Sequence, residues 1–167
     1  MRFRYSIAAA LFVTMSVVAH AQFPAADKPP QSSARGSDSV RFLFPEQVTI
    51  PAKKASPVEL HFRVAEGMHI NSHVPHSKLL IPTNFIVAER PGVNVSAVDF
   101  PAGADYSFSF SPKEKLSVYA GEFILKATIT AQPGQHLLEA GLRYQACDSN
   151  SCYPPKTIPV ALNILAK

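Results

Sequence analysis

Val58, Leu60, Phe62 and Val64 alternate with Glu59, His61 and Arg63, a two-residue period that predicts a half-buried β-strand with its four apolar side chains turned to a core. The same alternation puts Phe123, Leu125, Ala127 and Ile129 on one face of a second strand. It puts Leu138, Ala140, Leu142, Tyr144 and Ala146 on one face of a third, and Ile158, Val160, Leu162 and Ile164 on one face of a fourth. Shorter apolar runs predict weaker strands at 41–44, 48–50, 84–88, 93–100 and 116–119. Beyond Val40 no helical period is sustained, and Pro, Gly and Asn separate the runs, so the chain reads as all-β. Seven or more short strands divided by turn signals predict a β-sandwich, with a barrel as the alternative.

The first 39 residues follow another pattern. Arg2 and Arg4 precede an apolar stretch from Ile7 to Val18, and Ala19-His20-Ala21 supplies small residues at a cleavage position, so 1–21 is expected to be an export signal removed near Ala21. Residues 22–39 are Pro, Ala, Ser, Asp and Lys with little apolar surface to offset the entropy of ordering, and are expected to form a flexible leader. The domain proper is expected over 40–167, periplasmic or secreted, with no transmembrane segment in the mature chain. The net charge of +4 loses Arg2 and Arg4 with the signal, leaving 14 basic against 12 acidic residues. A nearly neutral chain without a basic cluster gives no support to nucleic-acid binding.

The two cysteines, Cys147 and Cys152, enclose Asp148, Ser149, Asn150 and Ser151, all turn formers. They are expected at the mouths of a tight turn between the strand ending at Ala146 and the one ending at Ile164, with Cα atoms roughly 4.5–5.5 Å apart, where a disulfide closes easily. Closing a loop of about six residues removes only about 2 kcal/mol of unfolded-chain entropy. Two fates stay open at this point, since an exported chain ordinarily keeps paired cysteines as a structural bond, while a weakly stabilising bond on a polar turn also suits opening and closing. A metal site made by the cysteines with His69, His73 or His76 is a weaker alternative, because four residues between the cysteines is loose for zinc and the grouping does not suit copper.

Tyr144-Gln145-Ala146-Cys147, a short polar turn and then Cys152-Tyr153-Pro154-Pro155 resembles the N-terminal domain family of the thiol:disulfide interchange proteins of the DsbD type. Gly67-Met68-His69-Ile70-Asn71-Ser72, Leu80-Ile81-Pro82-Thr83, Phe100-Pro101-Ala102-Gly103 and Leu116-Ser117-Val118-Tyr119-Ala120-Gly121 extend the similarity over Val40 to Lys167. The resemblance implies an immunoglobulin-like β-sandwich and a protein-disulfide reductase type of activity that needs no cofactor. Electrons would come from a membrane thiol reductase and pass to periplasmic thioredoxin-fold proteins, such as disulfide isomerases or cytochrome c maturation factors. It also implies that Cys152 attacks and Cys147 resolves. The chain has no counterpart of the family's membrane-embedded and thioredoxin-like portions, so its donor is expected to be a separate protein, and the domain is expected to be a monomer.

The resemblance further implies an aromatic loop over the disulfide, with Phe108 or Phe110 as the cap and Tyr153 as a neighbour that tunes the site. Alternation of Tyr106, Phe108 and Phe110 with Ser gives the competing reading of an ordinary strand facing the core. Two departures from the family stand out, a Cys-to-Cys turn one residue shorter and Met68-His69-Ile70-Asn71 in place of a Tyr-rich segment. His69 would tune a thiolate if it lay beside Cys152, although a lone His is ordinarily a surface or hydrogen-bonded structural residue. Asp105 is a candidate proton acceptor, and equally a common turn residue. The rival to a redox relay is a non-catalytic immunoglobulin-like binding module that keeps the disulfide as a local clip.

Overall fold

The two-residue periods of the sequence become strands in the computed structural model, which describes residues 39–43, 47–109 and 111–167. In chain order these are β1 (Val40–Phe42), β2 (Gln47–Ile50), β3 (Ser56–Val64), β4 (His69–Asn71), β5 (Asn84–Val87), β6 (Val93–Asp99), β7 (Ala104–Tyr106), β8 (Leu116–Tyr119), β9 (Glu122–Ala131), β10 (Gly134–Tyr144), β11 (Ala146–Cys147) and β12 (Lys156–Ala166). Among the described residues no helix is long and apolar enough to cross a membrane. The expected signal at 1–21 lies outside the described residues, as does the leader up to residue 38. Ser39, placed at the end of that leader, is buried, and its carbonyl accepts a hydrogen bond from the Ala65 N–H at 2.9 Å.

Two four-stranded sheets face one another, one ordered β1-β3-β9-β6 and the other β2-β12-β10-β5. Their inward residues form one core, to which the first sheet gives Leu60, Phe62, Leu125 and Ile129 and the second Leu138, Leu142, Leu162 and Ile164. Each such side chain, withdrawn from water, contributes about 1.5–3 kcal/mol. The outward positions of β3 and β9 carry charge instead, including an Arg63–Glu122 ion pair across the two strands. The chain is thus an all-β immunoglobulin-like sandwich, as its alternation and its resemblance implied. The pairings are antiparallel apart from β2 with β12, and an irregularity between Val95 and Ala97 shifts the register of β6 on β9.

A third, smaller sheet is ordered β11-β4-β8-β7. It corrects the strand expected to run through Ala146. The β10–β12 ladder ends at Tyr144↔Lys156, and after Gln145 the chain changes partner, so that Ala146 pairs with Ile70 and Cys147 with His69. Alternation passes through this change unbroken, because Ala146 is buried in the new sheet as it would have been in the old. The three-residue strand β4 was not foreseen, and β7 ends at Tyr106, where the competing strand reading of Tyr106, Phe108 and Phe110 would have begun. The expected strand at 93–100 stops at Asp99 and the one at 84–88 at Val87, while Phe44 lies outside the described residues.

Candidate functional site at the Cys147–Cys152 turn

Directly opposed residues of paired strands present their side chains on the same face. The Cys147↔His69 pairing therefore sets those two side chains next to each other, and two residues along the Asn71 N–H donates to the Gln145 carbonyl at 3.3 Å. Asn71 Nδ2 donates to Gln145 Oε1 at 3.2 Å and to the Ile81 carbonyl at 3.1 Å, while Gln145 Nε2 donates to the Tyr153 carbonyl at 3.2 Å. One buried amide and one half-buried amide thus tie β4 to both arms of the cysteine turn.

The turn itself is organised by Asp148. Its Oδ1 accepts from the Asn150 and Ser151 N–H groups, each at 2.8 Å, as expected of an Asp that opens a turn. Its Oδ2 accepts from the Tyr153 hydroxyl at 2.5 Å. The Tyr153 hydroxyl bond, then the two N–H bonds, hold the Asp148 carboxyl below its ordinary pKa. Backbone bonds from Asp148 N–H to the Ser151 carbonyl, 2.9 Å, and from Tyr153 N–H to the Ala146 carbonyl, 2.8 Å, close the turn.

Cys147 and Cys152 are joined as a disulfide with a Cα–Cα separation of 3.9 Å, closer than the separation expected from the sequence. The two residues are not equivalent, since Cys147 is 0% exposed and Cys152 is exposed. The pair was expected on an exposed polar turn. Only Cys152 meets that description, because β4 covers Cys147.

His69 is 3% exposed and its Nε2 has no hydrogen-bond partner among the described residues. Its ring centroid lies 4.0 Å from that of Tyr106 and 5.8 Å from that of Phe108, and the latter two rings meet edge-on at 5.5 Å. Burial lowers the imidazole pKa, and the negative charge of Asp148 offsets part of that shift. The structure thus sets His69 beside Cys147, where the sequence reading had considered a place beside Cys152. Strand β7 ends at Tyr106, so Phe108 sits in the loop that follows, half-buried. Phe110 lies outside the described residues.

Asp105 lies in β7 and not in a turn, exposed, with Lys115 Nζ at 2.9 Å from its carboxylate. That hydrogen bond and the Lys115 charge hold the carboxyl below its usual range, which suits a standing anion better than a proton acceptor. The other histidines diverge from the cysteines. His73 stacks on Phe100 with ring centroids 3.9 Å apart and donates from Nδ1 to the Thr83 carbonyl, and His76 Nδ1 lies 3.2 Å from the Lys115 carbonyl. Sequence reasoning missed Asn71 and Gln145 as bracing residues and gave Asp148 no role beyond the turn. The Asp-x-Asn-Ser spacing carries the Asp148 signal, whereas the amide pair depends on the strand switch.

An all-β sandwich with a small accessory sheet, and one disulfide whose first cysteine is buried and whose second is exposed, defines an immunoglobulin-like domain built around a single cysteine pair. The family model for "Thiol:disulfide interchange protein DsbD, N-terminal" matches residues 39–163, and the chain belongs to that family. It is 23% identical over 151 residues to the thiol:disulfide interchange protein DsbD of Actinobacillus pleuropneumoniae serotype 5b (strain L20), covering 90% of this chain and 22% of that protein. The chain spans about a fifth of the length of that curated relative. Among solved structures, the Neisseria meningitidis DsbD N-terminal domain in the reduced form is 19% identical with a TM-score of 0.39, covering 66% of this chain and 78% of that one. The complex between the DsbD N-terminal and PilB N-terminal domains of N. meningitidis gives 19% identity and a TM-score of 0.43, covering 66% and 77%.

Proposed function

We propose that this domain exchanges its Cys147–Cys152 disulfide with thioredoxin-fold proteins of the periplasm, taking electrons from a membrane thiol reductase, with Cys152 as the attacking sulfur and Cys147 as the resolving one. The observation that carries the reading is the asymmetry of the pair, an exposed Cys152 beside a fully buried Cys147. In-line attack requires an approachable sulfur, and only Cys152 offers one. The buried sulfur is then protected from competing thiols while remaining bonded or adjacent to its partner. Interconversion of one disulfide and two thiols carries two electrons and two protons, so no cofactor enters. In the same reading residues 1–21 export the chain and 22–39 space the domain.

A structural clip is the opposing account, and the redox potential separates the two. The Cys147/Cys152 couple is expected to equilibrate with thioredoxin-like proteins at a potential above the roughly −300 mV under which structural disulfides lie. A more reducing value, with no exchange, would leave the clip as the better description.

Phe108 is proposed as the cap. Its place in a loop beyond β7, with its ring against His69 and Tyr106, supports a side chain that shields the turn and moves with its loop. Phe108→Ala is expected to raise the rate of reduction by dithiothreitol severalfold with the urea midpoint unchanged. A lowered midpoint with an unchanged reduction rate would assign Phe108 to packing instead.

A further inference from the structure

We propose that His69 is the proton acceptor and donor for the buried Cys147 sulfur, taking the thiol proton as Cys147 closes the disulfide and returning it when the disulfide is opened. The inference rests on the assignment of Cys147 as the resolving sulfur and adds the group that makes resolution possible in a site closed to water.

Cys147 is withdrawn from solvent, so its thiol proton cannot pass directly to bulk water. An uncompensated thiolate there would carry the cost of a buried charge. The atom available to it is on the facing strand. His69 is the register partner of Cys147, is itself buried, and leaves Nε2 without a hydrogen-bond partner among the described residues. A buried, unpartnered ring nitrogen costs stability unless something offsets it, and orphaned groups of this kind concentrate where function requires them. Asn71 Oδ1, the next unpartnered atom on that strand face, accepts hydrogen bonds but is no base.

The ionisable groups around the ring are Cys147 on β11, Asp148 in the turn after it and Tyr106 on β7. Asp148 already accepts three hydrogen bonds and is a poor base. Its negative charge still stabilises an imidazolium once one forms. The Asp105 carboxylate, next in chain to Tyr106, is taken up by Lys115 at the surface. Burial lowers the His69 pKa and so favours the neutral imidazole, the form that accepts a proton.

Cys152 thiolate attacks a partner disulfide, forming a mixed disulfide and releasing one partner sulfur as a thiolate. Cys147 then passes its proton to His69 Nε2 and attacks Cys152 Sγ. The Cys147–Cys152 bond forms, the bond from Cys152 to the partner breaks, and the electron pair leaves with the partner's second sulfur, which takes up a proton. The partner disulfide is reduced and the domain is oxidised. Opening by a donor thiol runs the same path backwards, with Cys147 leaving as a thiolate that His69 protonates.

The test uses the reduced full chain with oxidised glutathione as partner, acid-quenched so that mass spectrometry separates the Cys152–glutathione adduct from the closed disulfide. His69→Gln is expected to slow closure by about tenfold while adduct formation stays within about twofold. That is a smaller effect than most general-base deletions, since sulfur is intrinsically a strong nucleophile. The closure rate of the unaltered chain should also show an inflection below the ordinary His pKa, which His69→Gln removes. Equal closure rates and pH profiles in the two proteins would overturn the proposal. Absence of any glutathione adduct at Cys152 in Cys147→Ala, where closure cannot consume it, would instead overturn the cysteine assignment beneath it. Should His69→Gln fail to fold, NMR titration of the His69 ring in the dithiol form of the unaltered chain is compared with that of Cys147→Ala. A displaced midpoint supports the coupling, and superimposable curves refute it.

Discussion

Cys147→Ala is expected to accumulate a covalent adduct with a thioredoxin-fold partner in its disulfide form, whereas Cys152→Ala is expected to form none. The first variant keeps the exposed sulfur proposed to attack and removes the buried one proposed to expel the partner, so exchange should halt at the mixed disulfide. The second keeps only a sulfur that β4 covers. Non-reducing electrophoresis against a purified thioredoxin reads the difference directly. Adducts of equal yield from both variants would mean that burial does not decide which sulfur attacks, and adducts from neither would remove the relay altogether.

The largest expected loss of stability comes from Phe62→Ala, about 3–5 kcal/mol, the range for deleting a fully buried aromatic side chain. Phe62 is 0% exposed at the centre of a row of rings, 5.2 Å from Phe42 on β1 and 5.3 Å from Phe123 on β9, with Tyr119 of β8 continuing the row 4.8 Å beyond Phe123. The register Phe42↔Phe62↔Phe123 makes the row a consequence of strand pairing, so neighbours held by three strands cannot collapse into the vacated space. Urea unfolding with the disulfide intact checks the value. A loss below about 1 kcal/mol would show that the row repacks.

The core strands were legible because each has one buried and one solvated face. In β3 from Val58 onward and in β9 the buried positions are the alternate apolar residues of the sequence, and β12 follows the same rule from Val160 to Ala166. Strand β4 breaks it, for His69, Ile70 and Asn71 are all buried and both faces of the strand are covered. Three consecutive buried residues, two of them polar, leave no period to detect, and for that reason the sequence offered His69 as a surface or hydrogen-bonded structural residue. The aromatic alternation after Asp105 carried a real strand only as far as Tyr106. The cysteine turn was visible from its composition, while the cover over Cys147 was not, since it comes from a segment more than seventy residues earlier in the chain.

The change of partner at Gln145 sets two levels of cooperativity within one domain. Eleven register pairs bind β10 to β12, but the sulfur-bearing β11 is held to β4 by two, with the Asn71–Gln145 amide contact beside them. Elements held by so few interactions open at a free energy well below that of global unfolding. The cysteine turn therefore depends for its order on few cross-strand pairs and on the side-chain bonds of Asn71, Gln145 and Asp148, while the sandwich beneath it is held independently by the long ladders of β10 with β12 and β3 with β9.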